Sequence, residues 1–424
     1  MKSAIKEVHA RQLVDCKCRP MVEVDVITEN GDLGRGCAPT GSSVGKFESY
    51  VLRDNDPNEY HGMSVHKAVD HVNNIIAPAL IGKDVTDQAL VDQIMIDLDG
   101  TPQKTRLGGN AIYSVSIAAL RAAAASEHLP LYRYISKGPI NTLPIPSFNV
   151  INGGHYDNLT QPFNETIIMP DGAASIYEAV EMGINTFQEL GKIIEKYLGH
   201  QASVAPSYGY AAPSEDPEVN LQLISEAIDR CGYTGRIDYA LDCASSEMYD
   251  ADTKTYLLKG KRVSNNELIA YTKKLTEKYN FVFIEDLLDE EDWEGFTTAH
   301  REITRTNIIG DDLIATNASR LKKANELNAI DGFILKPNQV GTITEALQTY
   351  QTAQEMGLLA IPSGRAGGVI GDIVMDLAVG LSIPFIKNGA PRSGERIDKL
   401  NYLMRVADLE QKYQISDISK LTKY

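Results

Sequence analysis

From about residue 238 onward the chain repeats one local pattern: a short apolar run ends in a polar or charged residue, and a helical pattern follows. The runs are YALDC, FVFIED, NIIGDD, GFILKPNQ, LLAIPSGR and PFIKNG, and their chemically distinctive ends are Asp242, Glu285, Asp311, Lys336, Arg365 and Lys387. Successive ends lie 43, 26, 25, 29 and 22 residues apart, so four of the five intervals suit one strand, one helix and two loops. Repeated βα units with charged residues at the strand C-termini are what a (β/α)8 barrel shows, because its active site is built at that face. A doubly wound open sheet would also alternate strand and helix, but no G-x-G-x-x-G follows a strand here.

The earlier part of the chain has a different texture. Val22, Val24 and Val26 alternate with Glu23 and Asp25, the period of a half-buried strand, and Asn30-Gly31 follows as a hairpin turn. Val65, Val69, Val72, Ile76 and Leu80 predict a helix over Ser64 to Leu80, and an Ala-rich stretch predicts another over Gly108 to Glu127. Strands first and helices after read as an α+β unit. The Pro-punctuated segment Leu143 to His155 reads as a boundary, and the chain divides into an N-terminal α+β cap, 1–138, and a C-terminal (β/α)8-type barrel, 139–424. The final ISDISKLTKY is short and polar and reads as a surface tail.

Composition narrows the function. The 424 residues carry a net charge of −16, which disfavours a nucleic-acid partner held through its phosphates. A small anionic substrate would need local cations or a metal. The apolar stretch Ala118 to Ala125 is interrupted by Arg121, so no membrane span is expected, and the N-terminus has no apolar signal core. Five cysteines without a C-x-x-C pair suit a reducing cytoplasm, and Cys16-Lys17-Cys18 reads as free thiols rather than a metal site.

Three carboxylates, Asp242, Glu285 and Asp311, end three successive runs and would converge on one barrel mouth. Any one alone reads as a helix cap or loop acid; together they suit a hard cation such as Mg²⁺. Lys336 and Lys387 lie on later runs facing them. A partly desolvated lysine near other cations has a lowered pKa and can act as a base, while a second lysine can fix an anion. That division of labour points to removal of a proton α to a carboxylate.

The residues now support a family resemblance. IMIDLDGT (94–101), GGNAI (108–112), NVINGG (149–154), LDCASSE (241–247), FIED (283–286), GDDLIATN (310–317), LKPNQVGT (335–342) and FIKNGAPRS (385–393) occur in this order, and the chain resembles the enolase family from about residue 5 to about residue 410. The resemblance implies a cap on a modified (β/α)8 barrel and Mg²⁺-dependent loss of water from 2-phosphoglycerate in a cytoplasmic, glycolytic homodimer. It implies that Asp242, Glu285 and Asp311 hold the first Mg²⁺, that Ser43 helps hold a second, and that Lys336 takes the C2 proton. Glu165 takes the place of the family's first catalytic glutamate. His155, Asp286, Lys387 and Arg365 are implied as substrate-binding residues, Lys387 at the carboxylate and Arg365 at the phosphate.

The departures from the family's pattern fall on one side of the implied site. The loop G-D-E-G-G, which carries the family's general acid, is replaced within VAPSYGYAAP, so that Ser207 or Tyr208 stands where a carboxyl should be. S-H-R-S-G-E becomes Ser363-Gly364-Arg365-Ala366-Gly367-Gly368, without the histidine or the second serine. An ungapped alignment puts Tyr156, not His155, at the loop-histidine position, and S-R-G-N-P, implied at a dimer contact, reads Cys16 to Pro20. Three readings stay open: a divergent enolase with Glu165 as its acid, a relative acting on another phospho- or phosphono-carboxylate as carboxyphosphonoenolpyruvate synthases do, and a non-catalytic binding protein. The last would be signalled by loss of Lys336 or a metal ligand, and none is lost.

Overall fold

The computed structural model describes residues 3–41, 45–136, 138–156 and 159–424, with the side chains of 155–156 and 159–162 outside that description. It begins with an antiparallel meander of β1 (Ile5–Val14), β2 (Pro20–Thr28) and β3 (Leu33–Cys37). Val22, Val24 and Val26 are fully buried on one face of β2. The opposite face is an ion-pair ladder rather than a solvated surface: Arg11 donates to Glu23 at 2.8 Å and Asp25 at 2.5 Å, and Arg35 reaches Asp25 at 2.6 Å. The hairpin turn closes at Gly31, whose φ of +91° a residue with a side chain rarely adopts.

The Ala-rich stretch forms α1 (Gly109–Ser126), buried along almost its whole length. Small residues on both sides allow the sheet to sit directly on it: a Cβ at Gly34 would lie 2.0 Å from the Ala118 carbonyl oxygen, and one at Gly36 would lie 2.2 Å from that of Ser114. The helix expected over Ser64 to Leu80 is three pieces, His66–His71, a π-helical Val72–Ile76 and Ala77–Leu80. Pro78 lacks an N–H and cannot continue the i→i−4 ladder. Val65, Val72, Ile76 and Leu80 nevertheless share the same buried core.

The barrel comprises β4 (Ile145–Tyr156), β5 (Leu159–Met169), β6 (Asp238–Asp242), β7 (Phe281–Glu285), β8 (Asn307–Gly310), β9 (Gly332–Leu335), β10 (Leu359–Pro362) and β11 (Phe385–Lys387). Their order around the sheet is β10-β9-β8-β7-β6-β5-β4-β11, and a parallel bridge between Ser363 and Lys387 closes the ring. The segment expected as a boundary is therefore the first barrel strand. β4 pairs antiparallel with β5, and β5 antiparallel with β6, while the remaining neighbours are parallel. The barrel is thus not a uniform series of βα repeats; β4 and β5 form a hairpin, followed by two helices, α2 (Ile176–Leu198) and α3 (Pro217–Arg230). The long interval between Asp242 and Glu285 holds three short strands, 249–263, before α4 (Asn265–Lys278).

Ile145, Ile167, Ala240, Phe283, Ile309, Ile334, Ile361 and Phe385 fill the barrel interior, with Phe283 stacked on Phe385 at 5.8 Å. Ile418 joins them at 4 % exposure, and Asn307 donates to the Leu421 carbonyl at 2.8 Å. The C-terminal segment therefore does not lie loose on the surface: Ile415, Ile418 and Leu421, three residues apart, close the end of the barrel away from the charged rim.

At that closed end Asp171 and Asp238 share a half-buried corner, where the Tyr424 hydroxyl donates to Asp238. Burial and the neighbouring Asp238 push the Asp171 carboxyl up to about 7. Between the ordinary carboxylate range and that value the folded chain holds a proton that the unfolded chain has lost, so this site makes stability fall as pH rises through the window. Asp171→Asn should flatten the decline in urea midpoint between about pH 5 and about pH 8; an identical decline in wild type and variant would exclude this source.

Candidate active site

The charged strand ends meet at one rim because neighbouring strands hold them in register. Glu165 on β5 pairs laterally with Asp242 on β6, Asp242 with Glu285 on β7, and Glu285 with Ile309 on β8, two residues before Asp311. Lys336 follows β9 directly, Lys387 ends β11, and Arg365 lies three residues beyond β10. Asp242, Glu285, Asp311, Lys336, Arg365 and Lys387 are all buried.

Lys387 neutralises one end of the carboxylate row. Its Nζ lies 2.8 Å from Asp242 Oδ2 and 3.6 Å from Glu165 Oε2, and it donates to Glu285 Oε2. Glu165 also accepts from Asn149 Nδ2 at 3.0 Å. Lys336 pairs with Asp311 Oδ2, whose other oxygen accepts from Gln339 Nε2 at 2.8 Å. A Thr316 hydroxyl holds the backbone N–H of Lys336 at 3.0 Å and donates to Gln339 Oε1 at 2.8 Å, so the lysine and the amide are set by one hydroxyl.

These pairings reverse the expected pKa of the lysines. Burial lowers that of Lys336, but the Asp311 charge outweighs burial and the net direction is upward. Lys387 lies well above its ordinary value because Asp242, Glu285 and Glu165 outweigh its burial. Burial and the Asp242 charge in turn push Glu285 far up, while Lys336 helps to hold Asp311 below the usual carboxylate range despite its burial. Beside them, burial and the Asp311 charge bring Asp312 up to about 8.

The donor set fits a hard divalent cation. Glu285 Oε1 is fully buried with no hydrogen-bond partner among the described residues, and it belongs to a group of carboxylates otherwise compensated by two ammonium groups. The tight oxygen cluster among the described residues at this rim is Asp286, Asp311 and Asp312 rather than Asp242, Glu285 and Asp311. Asp286, however, accepts the Asp311 N–H at 2.8 Å and the Asp312 N–H at 2.7 Å, at a backbone φ of +42°. Both of its oxygens thereby shape the neighbouring loop, while the residue also lines the rim cavity.

Arg365 is held by Glu48 of the N-terminal part of the chain. Its Nη1 and Nη2 donate to Glu48 at 2.8 and 3.1 Å, joining the cap to the barrel rim. Ser43, and the side chains of His155 and Tyr156, lie outside the described residues. Ser207 lines the rim cavity together with Gly364 and Ala366. The Tyr208 hydroxyl donates to the Cys16 carbonyl at 3.0 Å, and its ring lies under Arg396. Glu48 carries no sequence signal of function, since an isolated acid is indistinguishable from a cap until its partner is known, whereas Thr316 and Gln339 lie within GDDLIATN and LKPNQVGT without a role that the motif alone would give them.

Two family models match the chain, "Enolase, N-terminal domain" over residues 5–135 and "Enolase, C-terminal TIM barrel domain" over residues 140–420. Curated proteins named enolase from three strains of Methanococcus maripaludis are 43 %, 43 % and 42 % identical to it over 413 residues, covering 97 % of this chain and 96 % of theirs.

If Lys387 is what compensates Asp242 and Glu285, Lys387→Met should lose about 3–5 kcal/mol of stability in urea unfolding with a chelator present, the cost of leaving buried charges unpaired. A loss below about 1 kcal/mol, typical of an exposed pair, would contradict that role.

Proposed function

The chain belongs to the enolase family and is a carbon–oxygen lyase of that kind, and we propose that it converts 2-phosphoglycerate to phosphoenolpyruvate and water at the charged rim. The observation that carries this reading is the pair of buried lysines interleaved with carboxylates on consecutive strand ends. On this proposal 1–138 form the cap and 139–424 the barrel that carries the chemistry.

We assign Mg²⁺ to Asp242, Glu285 and Asp311, with Ser43 for a second ion. Bound there, Mg²⁺ would supply positive charge opposite the carboxylate of a small phosphorylated acid, where negative charge grows as the C2 proton leaves. Lys336 is the base for that proton; its ammonium must first give up both its proton and its hold on Asp311. Lys387 binds the substrate carboxylate, and Arg365 exchanges Glu48 for the phosphate, a task suited to its planar fork. His155 is assigned to the same substrate, and Glu165 is the acid for the leaving hydroxyl. A cytoplasmic homodimer in glycolysis completes the proposal. Among the described residues no helix is long and apolar enough to cross a membrane.

A second reading, the same proton abstraction on another phospho- or phosphono-carboxylate, is favoured by the remodelled side of the cavity. Between Val204 and Pro213 there is no acidic residue, and Gly364 and Ala366 replace larger polar side chains of the family pattern. Losing a general acid costs about 10²–10⁴ in rate, so the two readings differ measurably.

Phosphoenolpyruvate formation from 2-phosphoglycerate and NMR loss of the C2 proton in D₂O, each with Mg²⁺, separate them. The first reading expects both signals, and both should vanish in Lys336→Ala. Proton exchange without phosphoenolpyruvate would favour the second reading, and activity surviving in Lys336→Ala would remove the proposed base.

A further inference from the structure

The rim cavity does not end at the carboxylates. Its opposite wall is formed by Ser207, Gly364, Ala366, Arg396 and Lys399, the last two from α5 (Gly394–Glu410). The Lys399 side chain is only 2 % exposed. Among the described residues its ammonium has one ion pair, to Glu395 Oε2 at 3.2 Å, and that oxygen has no hydrogen-bond partner. An ammonium has three donors, and in a buried setting leaving them unmatched is costly.

Gly364 opens the path to it. A Cβ at position 364 would lie 2.5 Å from Lys399 Nζ and 3.2 Å from Asp372 Oδ2, so any side chain there would contend with the ammonium for the same space. The local charges leave the ammonium only partly compensated. Glu395 is shared, because Arg396 Nε donates to its Oε1 at 3.0 Å. Burial pushes the Asp372 carboxyl up, toward its neutral form, with Lys399 pulling it back, and its Oδ2 also has no hydrogen-bond partner among the described residues. Arg396 is further committed to the Ser207 carbonyl at 2.6 Å.

We propose that Lys399 is a specificity-determining residue that binds a second carboxylate of the substrate. The substrate class is then a phospho- or phosphono-carboxylate bearing an additional carboxylate arm on the carbon beside the one that loses its proton. This rests on the second reading above, and it names what the enlarged side of the cavity receives. The cations at Lys387 and Arg365 serve the groups common to the whole class, whereas Lys399 faces the side where Gly364 and Ala366 leave room.

Phosphonoacetate and phosphonosuccinate test this, since the second is the first with a carboxymethyl arm. Titration calorimetry of the full chain with Mg²⁺ should show phosphonosuccinate binding about tenfold tighter or more, the scale of a charge-assisted hydrogen bond in a buried site. Lys399→Met should abolish the difference while leaving phosphonoacetate affinity within about twofold. Gly364→Ala supplies an independent variant if the lysine change prevents folding: its backbone is compatible with alanine, and the added methyl would take the space of the flexible end of Lys399 and force it to shift. No binding of phosphonoacetate would overturn the site reading beneath this inference, and the inference with it. Binding of phosphonoacetate with no gain from the added arm would overturn the inference alone, as would a gain that persists in both variants.

Discussion

Carboxylates held side by side in a dry barrel rim repel one another unless cations stand among them, and this constraint organises the site. The lateral register of β5, β6 and β7 places Glu165, Asp242 and Glu285 in one row, so their proximity is imposed by backbone hydrogen bonds rather than chosen by the side chains. Lys387 compensates that row and Lys336 compensates Asp311. Those carboxylates shift the pKa of each lysine upward despite its burial. That pairing ties the proton affinity of Lys336 to the charge balance of the whole rim.

The cap contributes through contacts that have no meaning within the cap alone. Glu48 occupies the guanidinium of Arg365, and the Ser49 N–H reaches the Gln339 carbonyl at 2.6 Å, on the turn that follows Lys336. The same loop segment therefore touches both the arginine assigned to phosphate and the neighbourhood of the assigned base. Glu48 keeps this buried arginine compensated.

The side of the cavity that departs from the family pattern is altered as a unit. Gly364, Ala366 and Gly368 are all small, and their neighbours occupy the room: Lys399 lies at Gly364, while Glu395 lies against Gly368, 2.7 Å from where a Cβ would be. Ser207 turns its carbonyl to Arg396 instead of presenting a carboxyl. Removal of bulk and removal of an acid thus go together with cationic side chains that stand in the freed space beside the cavity.

The barrel strands were legible because each is a short apolar run ending in a charged residue, and the Val22-Val24-Val26 alternation likewise marked the buried face of β2. The antiparallel β4–β5 hairpin was not, since an apolar strand has the same composition in either direction and only its pairing shows which way it runs. The role of the C-terminal segment was hidden for a similar reason: Ile418 and Leu421 are too few to announce a buried element, and they count only against the open end of a barrel. The sequence by itself determined the residue types at the strand ends, and with them the family and the kind of chemistry, because strand period and spacing are local properties. Tertiary structure alone decided which cation neutralises which carboxylate, that Asp286 holds a loop, that Glu48 occupies Arg365 and that Lys399 reaches the cavity, because charge compensation depends on distances between residues remote in the chain.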